Sequence, residues 1–347
     1  VSAPLELTYV VPVRWRDGEQ RGELAAYLAE IAPLCAETIV VDGSPADVFA
    51  ANAEAWGGFA THVAPLPDER WLMGKVSGVR TGVRLASHER VVIADDDVRY
   101  DPEALRRTAR LLGAYDLVRP QNYFSSLPWH ARWDTARTLL NRCFGRDYPG
   151  TLAVRRSRLL SIGLYDGDVL FENLELIRTV RAHGGVEVAP LDLYVARVPP
   201  SSGHFWGQRT RQAYDDFALP LRMALWLAVV PLLALSWRHS HADGTELPLY
   251  GGKSSRQPRF WLAATALAVA MGERGRRRDG GTDYFPATSS LLAPVWVLER
   301  GVCAWLAVIQ RLRFGGVRYG DSVIPTAAHS ERQLRRSRED RAELARS

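Results

Sequence analysis

Asp95, Asp96 and Asp97 stand in a row directly after the apolar run Arg90–Ala94. Adjacent carboxylates repel one another unless a cation neutralises them. Their hard oxygens suit Mg2+ or Mn2+, ions that usually share such a site with substrate phosphates. A five-residue apolar run reads as a buried strand. Such a strand would present the triplet at its C-terminal end, where open α/β sheets bind their ligands. The triplet reads equally as a solvated acidic turn capping a helix that begins near Pro102. Taken alone, it does not choose between the two.

Other residues add chemistry of the same kind. Asp42 ends a second apolar run and precedes Gly43-Ser44. An acid there can accept hydrogen bonds from a ribose or a base, or close an Asx-turn. Gly74-Lys75 opens a helical stretch, where a lysine opposes the helix dipole; a phosphate partner explains it, and so does a surface position. Phe171-Glu172-Asn173-Leu174-Glu175 begins a later helix, with Glu175 the more ordinary helix-start charge. Gln208-Arg209-Thr210-Arg211-Gln212 precedes a long apolar stretch. Paired arginines of this sort hold a pyrophosphate or lipid phosphates.

These residues need a scaffold. Strands are predicted over Leu5–Val13 and residues 38–41, 61–64, 90–94 and 117–119, with later ones over 151–155 and 186–189. Helical spacing falls at residues 23–34, 47–56, 74–86, 103–112, 128–144 and 174–183. Strands alternating with helices predict an α/β fold, a mostly parallel sheet with helices on both faces. Residues 1–13 lack the basic-then-apolar layout of a signal peptide and read as the first strand.

The second half differs in composition. Eleven tryptophans crowd toward it, and residues 217–237 are apolar with Arg222 as the one charge. That length can cross a bilayer. Residues 259–272 and 291–309 are shorter or interrupted apolar stretches, the last carrying Trp296 and Trp305, types that suit a membrane interface. The alternative is three helices packed on the α/β domain. The basic run Arg274-Gly275-Arg276-Arg277-Arg278 is expected as a cytoplasmic loop. Residues 330–347 are a charged tail or solvated helix. The domains expected are therefore 1–216, in two halves of about 1–120 and 121–216, then a membrane-associated region over 217–329, then the tail. A net charge of +5 and a pI of about 9.2, with arginine concentrated late, favour a membrane surface or phosphates as partners and disfavour nucleic acid. Cys35, Cys143 and Cys303 form no metal or redox pattern and fit a reducing compartment.

In this order the pieces resemble a family-2 glycosyltransferase of the GT-A fold over roughly residues 5–217. Pro12 and Val41-Asp42-Gly43-Ser44 resemble the family's uridine-binding start. Gly74-Lys75 through Arg80 and Gly82 resemble its Gly-Lys helix, with Arg80 where asparagine is common. Residues 93–98 with Pro102 resemble its DxD strand, which implies Asp95 and Asp97 as metal ligands and Asp95 and Asp96 beside the nucleotide sugar. Gly150-Thr151, Val154-Arg155-Arg156, Gly163 and Asp166 resemble the acceptor-side segment. Glu172-Asn173 takes the place of a Glu-Asp pair, and Gln208, Arg209, Arg211 and Gln212 fall in the Gln-x-x-Arg-Trp region. The apolar stretches after it resemble the membrane-bound, ceramide-glucosyltransferase-like branch.

The resemblance implies an inverting, Mg2+- or Mn2+-dependent transfer of a sugar, UDP-linked above all, to a lipid or lipid-linked hydroxyl on the cytoplasmic side of the cell membrane. A metal would neutralise the departing diphosphate, and a carboxylate would deprotonate the acceptor. Two departures stand out. The base position is Asn173, an amide that accepts no proton at neutral pH, which moves the role to Glu172. The tryptophan that stacks on a growing glycan is replaced by Gln212, which implies a single transfer rather than polymerisation. A competing reading is a non-catalytic sugar-nucleotide-binding or scaffold protein with a lost base. The intact carboxylate cluster argues against it, because such a cluster is costly to keep. A nucleotidyltransferase is disfavoured by the missing Gly-rich basic loop near the N-terminus.

Overall fold

The computed structural model describes residues 3–18, 20–242, 256–319 and 322–344. The chain divides into two compact units. One comprises residues 1–125, 148–199 and 318–347, and the other residues 126–147 and 200–317. The boundary thus differs from the one expected at 216/217. The helix Trp129–Phe144 belongs with the apolar helices, because its Ala136 and Leu140 share a core with Ala293 and Trp296.

The first unit is built on strands β1 (Leu5–Val13), β2 (Cys35–Asp42), β3 (Thr61–Val63), β4 (Arg90–Ala94), β5 (Val98–Arg99), β6 (Leu117–Val118), β7 (Gln121–Phe124), β8 (Thr151–Arg155), β9 (Glu187–Val188) and β10 (Tyr194–Arg197). Among the described residues, seven of them form one sheet in the order β3-β2-β1-β4-β8-β6-β9. The pairs β3·β2, β2·β1, β1·β4 and β6·β9 are parallel, whereas β8 runs antiparallel to β4 and β6. The expected mostly parallel α/β sheet is what the chain forms.

β1 is buried from Leu7 to Val13 without alternation, so both faces of the sheet are covered. Leu7, Tyr9, Val11 and Val13 join Leu24, Leu28 and Ile31 of the helix Arg21–Ile31 and Leu105 of the helix Pro102–Leu111 in one core. The opposite face receives the helix Gly74–Leu85. Its Gly78 and Gly82 have no side chain to hold it off Pro12 and Val10, and a Cβ on Gly78 would lie 2.9 Å from Pro12 Cβ. That close approach fixes the helix that carries Lys75.

Most predicted elements are present with their ends shifted by a few residues. The strands β5, β7 and β10 were not anticipated. They make a separate sheet in the order β5-β10-β7. It arises just after the acidic triplet, where Ala196 and Arg197 of β10 pair antiparallel with Arg99 and Val98.

The second unit is helical: Trp129–Phe144, Ser202–Tyr214, Pro220–Ala242, Arg256–Arg277, Ala287–Leu291 and Ala293–Phe314. Small residues set its packing. Gly275 lies against the Leu139 carbonyl and Gly301 against Val229. Charges inside it are paired. Asp216 meets Arg222 at 2.8 Å and Arg300 at 3.0 Å, while Arg142 donates to the Gly275 and Arg278 carbonyls.

Among the described residues, one helical stretch, Pro220–Arg238, is long and apolar enough to cross a membrane, and only 6% of it is buried. The other two apolar stretches fall in 22-residue helices that do not reach that composition. In Ala293–Phe314 the outward face carries Leu298, Val302, Ile309 and Leu312, whereas Trp296, Arg300, Ala304 and Ala307 are buried. The basic run 274–278 is not a loop. It is the last turn of Arg256–Arg277 and the start of a 3-10 turn. Arginines there complement the helix dipole, and Glu273 pairs with Arg276 and Arg277 at 2.7 and 2.6 Å. Most of the charged tail forms the helix Glu331–Leu344.

Candidate active site

Parallel register places the ends of β2, β1 and β4 side by side at one edge of the sheet. Val13 pairs with Asp42, and Val10 pairs with Ile93 two residues before Asp95. This edge collects Asp42, Trp15 and the acidic triplet.

Lys75 Nζ lies 2.5 Å from Asp95 Oδ1 and 2.5 Å from Glu172 Oε1. Residues from the start of one helix, the end of β4 and the start of a second helix thus meet in one charge cluster, although the sequence separates them widely. Glu172 is 6% exposed. Burial raises its pKa, Asp95 acts in the same direction, and the Lys75 ammonium opposes both. Burial alone would lower the lysine; Asp95 and Glu172 outweigh it and hold the ammonium above its ordinary range.

Asp97 is held differently. Arg197, from the unanticipated strand β10, grips it through Nη2 at 2.5 Å and through Nε at 3.1 Å to each oxygen. Asp96 Oδ2 accepts the Trp15 indole N–H at 2.5 Å. Burial, then the neighbouring Asp97, push the Asp96 carboxyl up to about 6. Gly150 closes the floor. Its carbonyl accepts the Asp95 amide at 2.9 Å, and its own amide donates to Asn122 Oδ1 at 2.7 Å. A Cβ there would lie 2.8 Å from Asp95 Oδ2, so only glycine lets the segment leading into β8 come so near.

Asp42 is 1% exposed and its oxygens are already engaged. Oδ1 accepts the Ser44 amide at 2.8 Å, the Asx-turn pattern, while Oδ2 accepts Asn52 Nδ2 at 2.8 Å and faces His62 Nε2 at 3.1 Å. Burial would raise its pKa, but these hydrogen bonds outweigh it and keep the group ionised. Asp42 thereby shapes the turn whose Ser44 Oγ holds the Trp15 amide at 2.9 Å. Pro12 is buried under this edge and faces Gly78 of the helix beneath it.

Asn173 donates from Nδ2 to the Pro149 carbonyl at 2.9 Å; it ties the helix start to the segment leading into β8. Glu175 is fully buried and bound to His329, rather than serving as an ordinary helix-start charge. Arg209 sits in the second unit and is 4% exposed. It donates to Asp134 Oδ1 at 3.1 Å and to Gln212 Oε1 at 2.7 Å, and approaches Glu299 to 3.7 Å. Its guanidinium is thus engaged by two carboxylates and an amide oxygen within its own unit. Gln208 is half-buried beside the exposed His204, and Arg211 is half-buried too.

Asp95 and Asp97 offer oxygen ligands for a hard ion. Asp95 Oδ1 is buried and accepts no hydrogen bond of good geometry beside its ion pair. Among the described residues, no group of three Asp, Glu, His or Cys side chains comes together to complete a protein shell. Such a set fits an ion that takes its remaining ligands from phosphate and water, as Mg2+ does.

Sequence reasoning missed Arg197, Trp15, Asn122 and His329. Arg197 ends a short apolar run, Tyr194–Arg197, and that run was the available signal.

No family model matches the sequence, and no curated protein matches it. Among solved structures the chain is similar to mannosyltransferase PcManGT from Pyrobaculum calidifontis in complex with GDP-Man and Mn2+. The identity is 16% over 89% of this chain and 88% of that one, with a TM-score of 0.49. It is also similar to glucosyl-3-phosphoglycerate synthase from Mycobacterium tuberculosis in complex with Mn2+, UDP and glucosyl-3-phosphoglycerate. There the identity is 19% over 60% of this chain and 77% of that one, with a TM-score of 0.42.

Proposed function

We propose that this chain is a GT-A-type glycosyltransferase of family 2. It moves a hexosyl unit from a nucleotide sugar, UDP-linked in the first instance, to a hydroxyl of a lipid or lipid-linked acceptor, with inversion. The observation that carries the reading is the Asp95–Lys75–Glu172 cluster at the C-terminal edge of a parallel sheet. It sets a cation beside the carboxylates assigned to the donor side, and next to it a buried carboxylate whose pKa is raised. A site for a departing diphosphate and an attacking hydroxyl needs those two halves in contact.

A divalent ion, Mg2+ or Mn2+, held by Asp95 and Asp97 would supply neutralisation of the leaving diphosphate. The chain's own residues do the rest. Lys75 adds positive charge beside that diphosphate. Asp96 fixes Trp15, and through it the loop after β1, at the mouth of the sheet edge. Glu172 takes the acceptor proton, and its raised pKa keeps it a stronger base than an exposed glutamate. Asn173 holds the helix start, and Gln212, engaged with Arg209, offers no stacking surface for a growing polymer. The reading puts the chain at the cell membrane with its catalytic unit on the cytoplasmic side; the apolar, exposed stretch Pro220–Arg238 and the outward face of Ala293–Phe314 support the membrane contact alone.

The test is nucleoside diphosphate release, UDP or GDP according to the donor, from a panel of UDP- and GDP-sugars with Mn2+, with and without membrane lipid extract, followed by chromatography of labelled lipid. Acceptor-dependent release with label in the lipid fraction is expected. Donor binding with no transfer to any fraction would favour the non-catalytic reading instead.

A further inference from the structure

The 44 basic residues of the sequence include only two lysines, Lys75 and Lys253. Elsewhere the chain uses arginine. Lys253 lies outside the described residues, and Lys75 falls at the acidic strand end. The two cations holding that end are therefore chemically different. Arg197 grips Asp97 with a planar fork at 2.5–3.1 Å, a geometry that resists being pulled apart. Lys75 instead balances a single ammonium between Asp95 and Glu172 at 2.5 Å each. An ammonium is a compact point charge on a flexible stem and can leave one carboxylate without losing the other. Its side chain is 19% exposed, and that of Asp95 is 21% exposed, so both partners keep a share of their surface in reach of solvent.

We propose that Lys75 is an internal counter-cation for Asp95, displaced when a divalent ion arrives and moving its charge onto Glu172 and the donor diphosphate. The inference rests on the reading of Asp95 as a metal ligand. It has a definite consequence. In the absence of donor, the lysine competes with the metal, so a bare ion binds weakly. A diphosphate gives the displaced ammonium a new partner, so metal and diphosphate tighten each other's binding by the same factor. The site thereby keeps nearly constant charge through loading.

The experiment is Mn2+ titration of the full-length, detergent-purified protein followed by electron paramagnetic resonance, with and without UDP. Lys75→Met should bind Mn2+ alone about tenfold or more tightly than the wild type, and UDP should tighten that binding much less than it does in the wild type. Unchanged or weaker Mn2+ affinity in folded Lys75→Met overturns the proposal. Asp95→Asn is the control. If it leaves Mn2+ affinity intact, the metal assignment itself fails. If it abolishes binding while Lys75→Met changes nothing, only the counter-cation role fails. Should Lys75→Met not fold, amine acetylation of the wild type decides, with an added lysine peptide as reference. Mn2+ alone should expose Lys75 to the reagent, and an unchanged labelling ratio overturns the proposal.

Discussion

Glu175 accepts two hydrogen bonds from His329, one from its backbone N–H at 2.7 Å and one at ring Nδ1 at 2.9 Å. The same chain segment runs alongside the start of this helix. Leu170 and Phe171 donate their amides to the Thr326 and Ala327 carbonyls, and Arg178 Nη1 reaches the His329 carbonyl at 2.8 Å. Glu175 is therefore an anchor for residues 326–329, while Glu172, one turn earlier, faces Lys75 and Asp95.

The two glutamates should separate in mutagenesis. Glu172→Gln preserves shape but removes the proton acceptor, and should lower turnover by about 10²-fold or more with UDP affinity nearly unchanged. Glu175→Gln should instead lower the melting temperature and leave kcat of the folded fraction close to wild type. Normal turnover in Glu172→Gln with a dead but well-folded Glu175→Gln would reverse the assignment.

The His329 contact is pH-dependent in a fixed direction. The hydrogen bond to Glu175 raises the histidine pKa, burial opposes it, and Asp166 at 4.0 Å adds to the rise. A histidine whose folded pKa is raised contributes stability that is fully present below its unfolded value of about 6.5. That contribution is lost as pH climbs through the folded value. His329→Gln should therefore melt well below wild type at pH 5.5, with the gap shrinking by pH 8.5. Scanning calorimetry across that range checks it; a gap that widens with pH contradicts the assignment.

Legibility in the sequence followed the range of the interactions. β4 and β8 were readable to the residue because both are short apolar runs with polar ends. β5, β7 and β10 were not, because two to four residues carry no usable period, and their pairing is non-local. The same limit applies within the site. Type and order single out Asp95, Asp97, Lys75 and Glu172 as candidates, but not the partner that each one meets. That Lys75 joins Asp95 to Glu172, or that Arg197 claims Asp97, depends on a fold that brings together residues 97 to 100 positions apart. Glu175 reads from the sequence as an ordinary helix-start charge. It is buried because residues 326–329 cover it, a fact held by a distant segment.

Asp97 should be needed for metal-dependent donor binding. Asp97→Asn weakens an oxygen ligand and also breaks the Arg197 fork, so Mn2+ should no longer tighten UDP, a loss of several kcal/mol of transition-state stabilisation if the ion acts there. Calorimetry of UDP with and without Mn2+ is the measurement. Retained metal-dependent affinity would remove Asp97 from the donor site.

Residues 220–238 should hold the chain to membranes. Leu221, Leu225, Leu232, Leu235 and Trp237 are all more than half exposed, which water does not favour over such a length. The protein should stay in the pellet after high-salt and carbonate washes and leave it with detergent. A monodisperse, soluble protein without detergent would mean that this surface is covered by protein instead.

Asn173→Asp tests whether the family's usual acid can simply be put back. In this chain the Asn173 amide donates to the Pro149 carbonyl, one residue before the Gly150 that packs on Asp95. An aspartate at that position loses the donor and sets a carboxylate against a carbonyl oxygen. The change should cost about 1–3 kcal/mol of stability, the usual penalty for stranding a partly buried acceptor. It should also loosen the Gly150 floor, so that donor affinity falls along with stability. In the Glu172→Gln background it should therefore rescue little or no turnover. Urea unfolding, paired with UDP titration and rate measurements on the single and double variants, gives all three readouts. A double variant that recovers most of the rate while holding wild-type stability would show that the new acid reaches the acceptor, and that the Pro149 contact contributes nothing to the site.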